Sequence, residues 1–213
     1  MKLADLTVSE FVRELASVSP APGGGSVAAL CAGLSAALCT MVARLTLGKE
    51  KYRADWEVME DLIQQVDPLT GRFLKLMDAD TEAYNQVVAA MRLPKETSEE
   101  KAVRKTAIEQ ANRKAAVVPL ETLKNTLKLA DQVKHAVEKG NVNCITDAGT
   151  AAQLVKTAAY AAAYNVRINL GGINDPVFVE NCRSEVSRIL SHIDLSMDGV
   201  GQKVDSELKK HEG

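Results

Sequence analysis

Asp80 is the residue in this chain that simple helix packing explains least. At about 100° per helical residue it falls in the angular sector of Phe73, Met77, Tyr84, Val87 and Met91, while Asp78 and Glu82 point well away. A carboxylate among apolar side chains is costly unless partnered, and burial raises its pKa, which is how a general acid or base is made. Two readings stand for it: a proton-transfer group, or a structural ion pair or cap for another helix. A second anomaly lies in AGTAAQLVKTAAYAAAYNVRINL, where Ala151, Leu154, Ala158, Ala161 and Ala162 form a close-packing face and Asn165 and Asn169 share its angles. Their amides can bond a neighbouring helix or a ligand with matching donors and acceptors. Asp147, just ahead of that run, is a candidate N-cap.

The loop Pro20–Ser26 has two prolines and three glycines. Gly24, Gly25 and Ser26 could offer free amides to an anion at a helix N-terminus, or form a catalytically silent turn. A nucleotide-binding P-loop does not fit, because Gly48-Lys49-Glu50 lies beyond the helix and lacks the Ser or Thr that meets magnesium. Lys49, Lys51, Arg53 and Lys95 flank structural breaks, as solvated surface or as the grip on an anionic substrate tail. Cys31, Cys39, Cys144 and Cys182 and the histidines 135, 192 and 211 are scattered, so neither a metal site nor a disulfide scaffold is expected. A net charge of −2 gives no general attraction for nucleic acid or anionic membrane.

The elements that must position these groups are helices. Aromatic residues are only 4% of the chain, no stretch sustains period-two alternation, and the 213 residues contain no linker or internal repeat. The expectation is one all-α domain, 1–213, of six to eight helices. Thr7 to Glu10 has capping-box spacing and opens a short helix with Phe11, Val12, Leu15 and Val18 as its stripe. A central helix begins at or beside Ser26 and ends near Gly48. It carries no charge from Gly23 to Ala43, the length of a membrane span, but its Ala, Gly, Ser and Cys content predicts a buried, small-residue-rich bundle helix or a subunit seam. Pro68 is a kink or a new start; a long helix from Thr97 or Ser98 is kinked or interrupted near Pro119 and runs to Gly140; the last begins at Asp175-Pro176. The acid-containing first ten residues do not read as a signal peptide, so a cytoplasmic protein is expected.

FVREL (11–15), APGGGSVAAL (21–30), GKEKY (48–52), DADTEAYNQV (78–87), MRLPK (91–95), GNVNCITD (140–147) and YNVRINL (164–170), in this order, resemble the cyclodeaminase/cyclohydrolase family: the C-terminal domain of formiminotransferase-cyclodeaminase and stand-alone methenyltetrahydrofolate cyclohydrolases. The resemblance implies an all-helical homodimer with a folate site near the subunit interface, no metal, and no cofactor beyond the tetrahydrofolate substrate, with or without a polyglutamate tail. It implies hydrolysis of 5,10-methenyltetrahydrofolate to 10-formyltetrahydrofolate or closure of 5-formiminotetrahydrofolate with loss of ammonia. With no formiminotransferase domain in these residues, the hydrolysis is preferred. Asp80 then becomes the proton-transfer group, with Asp78 second. Asp147, Asn165 and Asn169 recognise the pterin edge or orient water, and the Gly24, Gly25 and Ser26 amides with Lys49 or Lys95 hold the glutamate tail. Tyr52, Asn141 and Cys144 join the substrate-binding set as members of matched motifs. A non-catalytic folate-binding or dimerisation module is the alternative outside enzymology.

Overall fold

A computed structural model describes residues 2–210 of the chain, leaving His211 outside. Six α-helices account for most of those residues: α1 (Val8–Leu15), α2 (Gly24–Arg44), α3 (Trp56–Met91), α4 (Ser98–Lys139), α5 (Ile145–Leu170) and α6 (Pro176–Lys209). Short 3-10 turns precede α1, α3 and α5, and no strand occurs among the described residues.

The five long helices alternate in direction. Ser26 meets Asp80 and Arg44 meets Asp67, so α2 and α3 are antiparallel. Gln132 meets Gln65 and Arg104 meets the Met91 carbonyl, so α4 runs back along α3. Asn169 reaches Ala115 and Tyr160 reaches Asp194, which sets α5 against α4 and α6 against α5. Ser35 donates to the Ala151 carbonyl at 2.7 Å, clasping the middle of α2 to the second turn of α5. The apolar α2 therefore lies between α3, α4 and α5, with Ala28, Ala29, Ala32, Ala36 and Cys39 fully buried. Alanines at these positions let α3 and α5 approach closely, and the core is completed by Phe73, Met59, Leu123, Leu129, Val155 and Ile189. Its length and apolar character would suffice to cross a membrane, yet most of it is buried inside the bundle.

Several boundaries depart from the sequence expectation. α2 starts two residues before Ser26, with Gly23 as an N-cap that has no side-chain bond; Ser26 turns its hydroxyl across to α3 instead. Neither internal proline breaks its helix: α3 runs through Pro68 and α4 through Pro119, so the helix count falls at the low end of the expected range. A proline removes the N–H that would bond the carbonyl four residues back. Gln64 is exposed, so Pro68 leaves a carbonyl that water can reach. Pro119 is buried, and the carbonyl it frees, that of Ala115, accepts a hydrogen bond from Asn169 Nδ2 at 2.8 Å. Asp147 is no N-cap: α5 begins at Ile145 and Asp147 sits inside its first turn. On α1 only Phe11 of the expected stripe is buried; Val12 and Val18 lie open to solvent.

Candidate active site

At the N-terminal end of α2 a cleft of about 460 Å³ is lined by Gly23, Gly24, Gly25, Asp80, Asn165 and Asn169, with Tyr84, Val87, Met91 and Ile168 as its apolar wall. That wall explains the α3 stripe. Phe73 and Met77 are buried in the core, but farther along the same face Tyr84 is 38% and Met91 52% exposed, because there the stripe faces the cleft and not another helix.

Asp80 lies at the junction of these two environments. Its Oδ2 accepts a hydrogen bond from Ser26 Oγ at 3.1 Å, and the same hydroxyl is within 3.1 Å of the Met77 carbonyl and of Thr81 Oγ1. The carboxylate lies directly over Gly25, where an added Cβ would stand 2.5 Å from Asp80 Cγ. Desolvation raises the Asp80 pKa, while the hydroxyl and amide of Ser26 pull the other way and lose. The two sequence readings thus coincide: Asp80 covers the first turn of α2 as a cap does, and it remains half-buried at a cleft with its proton held more tightly than an ordinary aspartate.

This arrangement corrects the anion-binding expectation for Gly24, Gly25 and Ser26. A carboxylate of the protein already occupies the α2 N-terminus, so a second one there meets like charge. Gly25 is needed for close approach, and Ser26 is fully buried behind Asp80. Gly24 borders the cleft, 3.3 Å from Asn165 Nδ2 by the position of its missing Cβ.

The residues expected to form one site fall into two groups. Lys49, Tyr52, Asn141, Cys144 and Asp147 gather at the other end of α2, about 30 Å away along a 21-residue helix. There the Val142 amide donates to the Tyr52 hydroxyl at 3.0 Å, the Asn141 amide donates to Thr46 Oγ1 at 2.8 Å, and Asn141 Nδ2 reaches the Leu45 carbonyl. Gly48, at φ +77°, turns the chain out of α2 into this clasp. Burial, with Asp147 adding and Lys49 opposing, raises the Cys144 thiol pKa. Within one copy none of these five lines the cleft. Asp78 is tied elsewhere, accepting from the Leu3 amide at 2.6 Å and anchoring the N-terminal turn. Lys95 is exposed, four residues beyond Met91. Among the described residues no three His, Cys, Asp or Glu side chains converge.

One cleft residue was missed. Asn112 of α4, 9% exposed, lines the cleft and packs against Gly172, to whose carbonyl its Nδ2 donates at 3.4 Å. It sits four residues before Ala116 and eight before Leu120, both buried, so the criterion that singled out Asp80 would have found it.

Fold and cleft together define an all-α protein with a desolvated carboxylate at the floor of a pocket of small-molecule size. The family model for formiminotransferase-cyclodeaminase matches residues 7–188, and the chain belongs to that family. It is 36% identical to formimidoyltransferase-cyclodeaminase of Rattus norvegicus over 188 residues, 88% of this chain and 35% of that protein, so it spans about a third of that relative's length. It is 34% identical to methenyltetrahydrofolate cyclohydrolase of Methylorubrum extorquens over 202 residues, 95% of this chain and 97% of that protein. The crystal structure of formiminotetrahydrofolate cyclodeaminase from Thermotoga maritima matches with a TM-score of 0.82 at 27% identity, covering 100% of both chains.

Proposed function

We propose that this protein hydrolyses 5,10-methenyltetrahydrofolate to 10-formyltetrahydrofolate, with Asp80 as the proton-transfer group. The observation that carries the reading is a carboxylate of raised pKa held at the floor of a cleft with an apolar wall. Near-complete mutual coverage with the Methylorubrum cyclohydrolase supports the choice of reaction.

The methenyl carbon lies between N5 and N10 in a delocalised cation, so it is already electrophilic and the reaction as written calls on no metal. Water adds its oxygen to that carbon and gives one proton to Asp80, whose raised pKa suits it to receive it. The neutral carbinolamine then breaks its bond to N5. Asp80 returns its proton to N5 as the C=O forms, and the hydroxyl proton passes to solvent, so the sequence consumes one water and releases one proton. The ionised carboxylate also stabilises the substrate cation before attack.

A second reading, cyclodeamination, draws on the Thermotoga maritima match. There N10 attacks the formimino carbon and Asp80 protonates the departing ammonia, so the same residue serves. The ratio of kcat/KM for the methenyl and formimino substrates separates the two.

The working form in this reading is a cytoplasmic homodimer. Val27, Leu30, Leu34, Leu38, Met41 and Leu45 make an apolar line along the outer side of α2, with Leu34 49% exposed; Tyr164 and Ile168 of α5, nearer the Gly24 end, are also exposed. Leu34 is the midpoint of Gly24–Arg44. A two-fold axis there lays α2 against its copy in reverse, bringing the Lys49 and Asp147 group of one copy beside the cleft of the other. The two half-sites that one chain holds about 30 Å apart then become neighbours, and Lys49 regains its expected place at the substrate's anionic tail.

Asp80→Asn tests the chemistry. An enzyme of this kind loses turnover by at least about 100-fold while retaining its helical circular dichroism. Turnover within a few-fold of wild type, or a protein that unfolds with the substitution, would overturn the role given to Asp80.

A further inference from the structure

The cleft holds three asparagines, and in each one N–H of the side-chain amide is already committed to a main-chain carbonyl. Asn169 Nδ2 donates to the Ala115 carbonyl at 2.8 Å, Asn165 Nδ2 to the Ala161 carbonyl at 2.9 Å, and Asn112 Nδ2 to the Gly172 carbonyl at 3.4 Å. A main-chain carbonyl can only accept, so these bonds decide which way each amide is turned. The Ala115 carbonyl is free to accept because Pro119 has no N–H to offer it. Asn112 is fixed further by contact with Gly172, where an added Cβ would overlap its amide, and Asn165 by the close approach of Gly24. The three Oδ1 atoms have no donor among the described residues. All three side chains line the one cleft, as does the Asp80 carboxylate.

We propose that Asn112, Asn165 and Asn169 form an array of hydrogen-bond acceptors that selects a ligand by an edge rich in N–H donors, and that this edge is the 2-amino-3-NH side of the pterin ring. The inference rests on the folate reading above and assigns the specificity of the same cleft. A pterin offers donors at its 2-amino group and N3, with the 4-oxo acceptor beside N3 on the same edge. Oδ1 atoms pair with the two donors, and the second Nδ2 hydrogen of an asparagine suits the 4-oxo group. Neutral amides also leave the substrate cation to Asp80 alone, so recognition of the ring and stabilisation of the charge fall to different residues. A ligand lacking the 2-amino group would leave desolvated acceptors unpaired, the situation in which a polar site discriminates most strongly.

The test compares kcat/KM for 5,10-methenyltetrahydrofolate with that for its 2-desamino-2-methyl analogue, in wild type and in Asn112→Leu and Asn169→Leu. Wild type should prefer the parent by about 10- to 100-fold for each hydrogen bond lost. Each variant should lose most of its preference through a higher KM for the parent, with kcat kept within a few-fold and the analogue little affected. The comparison on unaltered protein stands even if a variant fails to fold. Equal kcat/KM for parent and analogue in a wild type that turns over the parent would overturn the acceptor array and leave the folate reading intact. Absence of turnover or binding of either methenyl or formimino substrate by wild type would overturn both.

Discussion

Replacing Gly25 with alanine displaces the Asp80 carboxylate without substituting it, and so tests the proton-transfer role proposed for that residue. The new methyl would stand 2.5 Å from Asp80 Cγ and 2.6 Å from Oδ2, against an ordinary carbon contact of about 3.5–4.0 Å. The carboxylate must therefore retreat by about 1 Å or rotate away. Either movement takes its 3.1 Å bond to Ser26 Oγ out of hydrogen-bonding range. Losing one charge-assisted hydrogen bond costs about 1.5–3 kcal/mol, and exchanging Gly for Ala in a helix returns up to about 1 kcal/mol. With that gain returned in full, the balance is a loss of about 0.5–2 kcal/mol, or roughly 1–8 °C in Tm for a chain of this size. Displacing a proton-transfer group by about 1 Å costs on the order of 100-fold in rate. Gly25→Ala is thus expected to fold with a slightly lowered Tm and to turn over about 100-fold more slowly, as read by loss of methenyl absorbance alongside thermal melting. A variant with kcat within about threefold of wild type would refute the placement of Asp80 at the reacting atoms.

Three further outcomes follow from the charges and the apolar face. Because the folded pKa of Asp80 is raised, its ionisation penalises the fold as pH climbs above the ordinary aspartate value of about 3.9. Asp80→Asn should then melt higher than wild type at neutral pH, and the gain should vanish as pH falls to that value. Glu207 has the opposite sign: Lys203 at 2.7 Å and Lys210 at 2.8 Å lower its pKa to about 2. Its stabilisation is present above the ordinary glutamate value of about 4.3 and lost as pH falls through about 2, so Glu207→Gln should melt lower at pH 7, with the two melting curves converging on acidification. Leu34→Glu places a charge at the proposed two-fold and should give a monomer in sedimentation with helical content intact and activity lost; an active monomer would refute the shared-site arrangement.

Helical periodicity made much of this legible. It marked α2 as a buried helix and set Asp80 apart from Asp78 by angle alone, and the structure places the first at the cleft and the second on the Leu3 amide. It also marked Asn165 and Asn169, because the face that packs on α4 continues into the cleft. What it could not carry was which ends of helices meet. Lys49 and Tyr52 follow the same helix that Gly24 and Gly25 open, and nearness in sequence suggested one site where 21 helical residues intervene. Pro68 and Pro119 were read as kinks or breaks because local propensity opposes them, whereas both helices run through: Gln64, four residues before Pro68, is exposed, and Asn169 donates to the Ala115 carbonyl that Pro119 frees. Asn112 was overlooked although the same periodicity marks it, four and eight residues before buried Ala116 and Leu120; what periodicity does not carry is that Gly172, sixty residues on, meets it at the cleft.

Pro119 ties durability to discrimination. A redesign aimed only at thermal tolerance would exchange it for alanine, restoring an amide that competes for the Ala115 carbonyl. Asn169 would then be free to turn its nitrogen toward the ligand, and the acceptor wall would lose a member without any substitution at the site itself. In this fold an imperfection inside one helix holds a binding group of its neighbour to a single orientation.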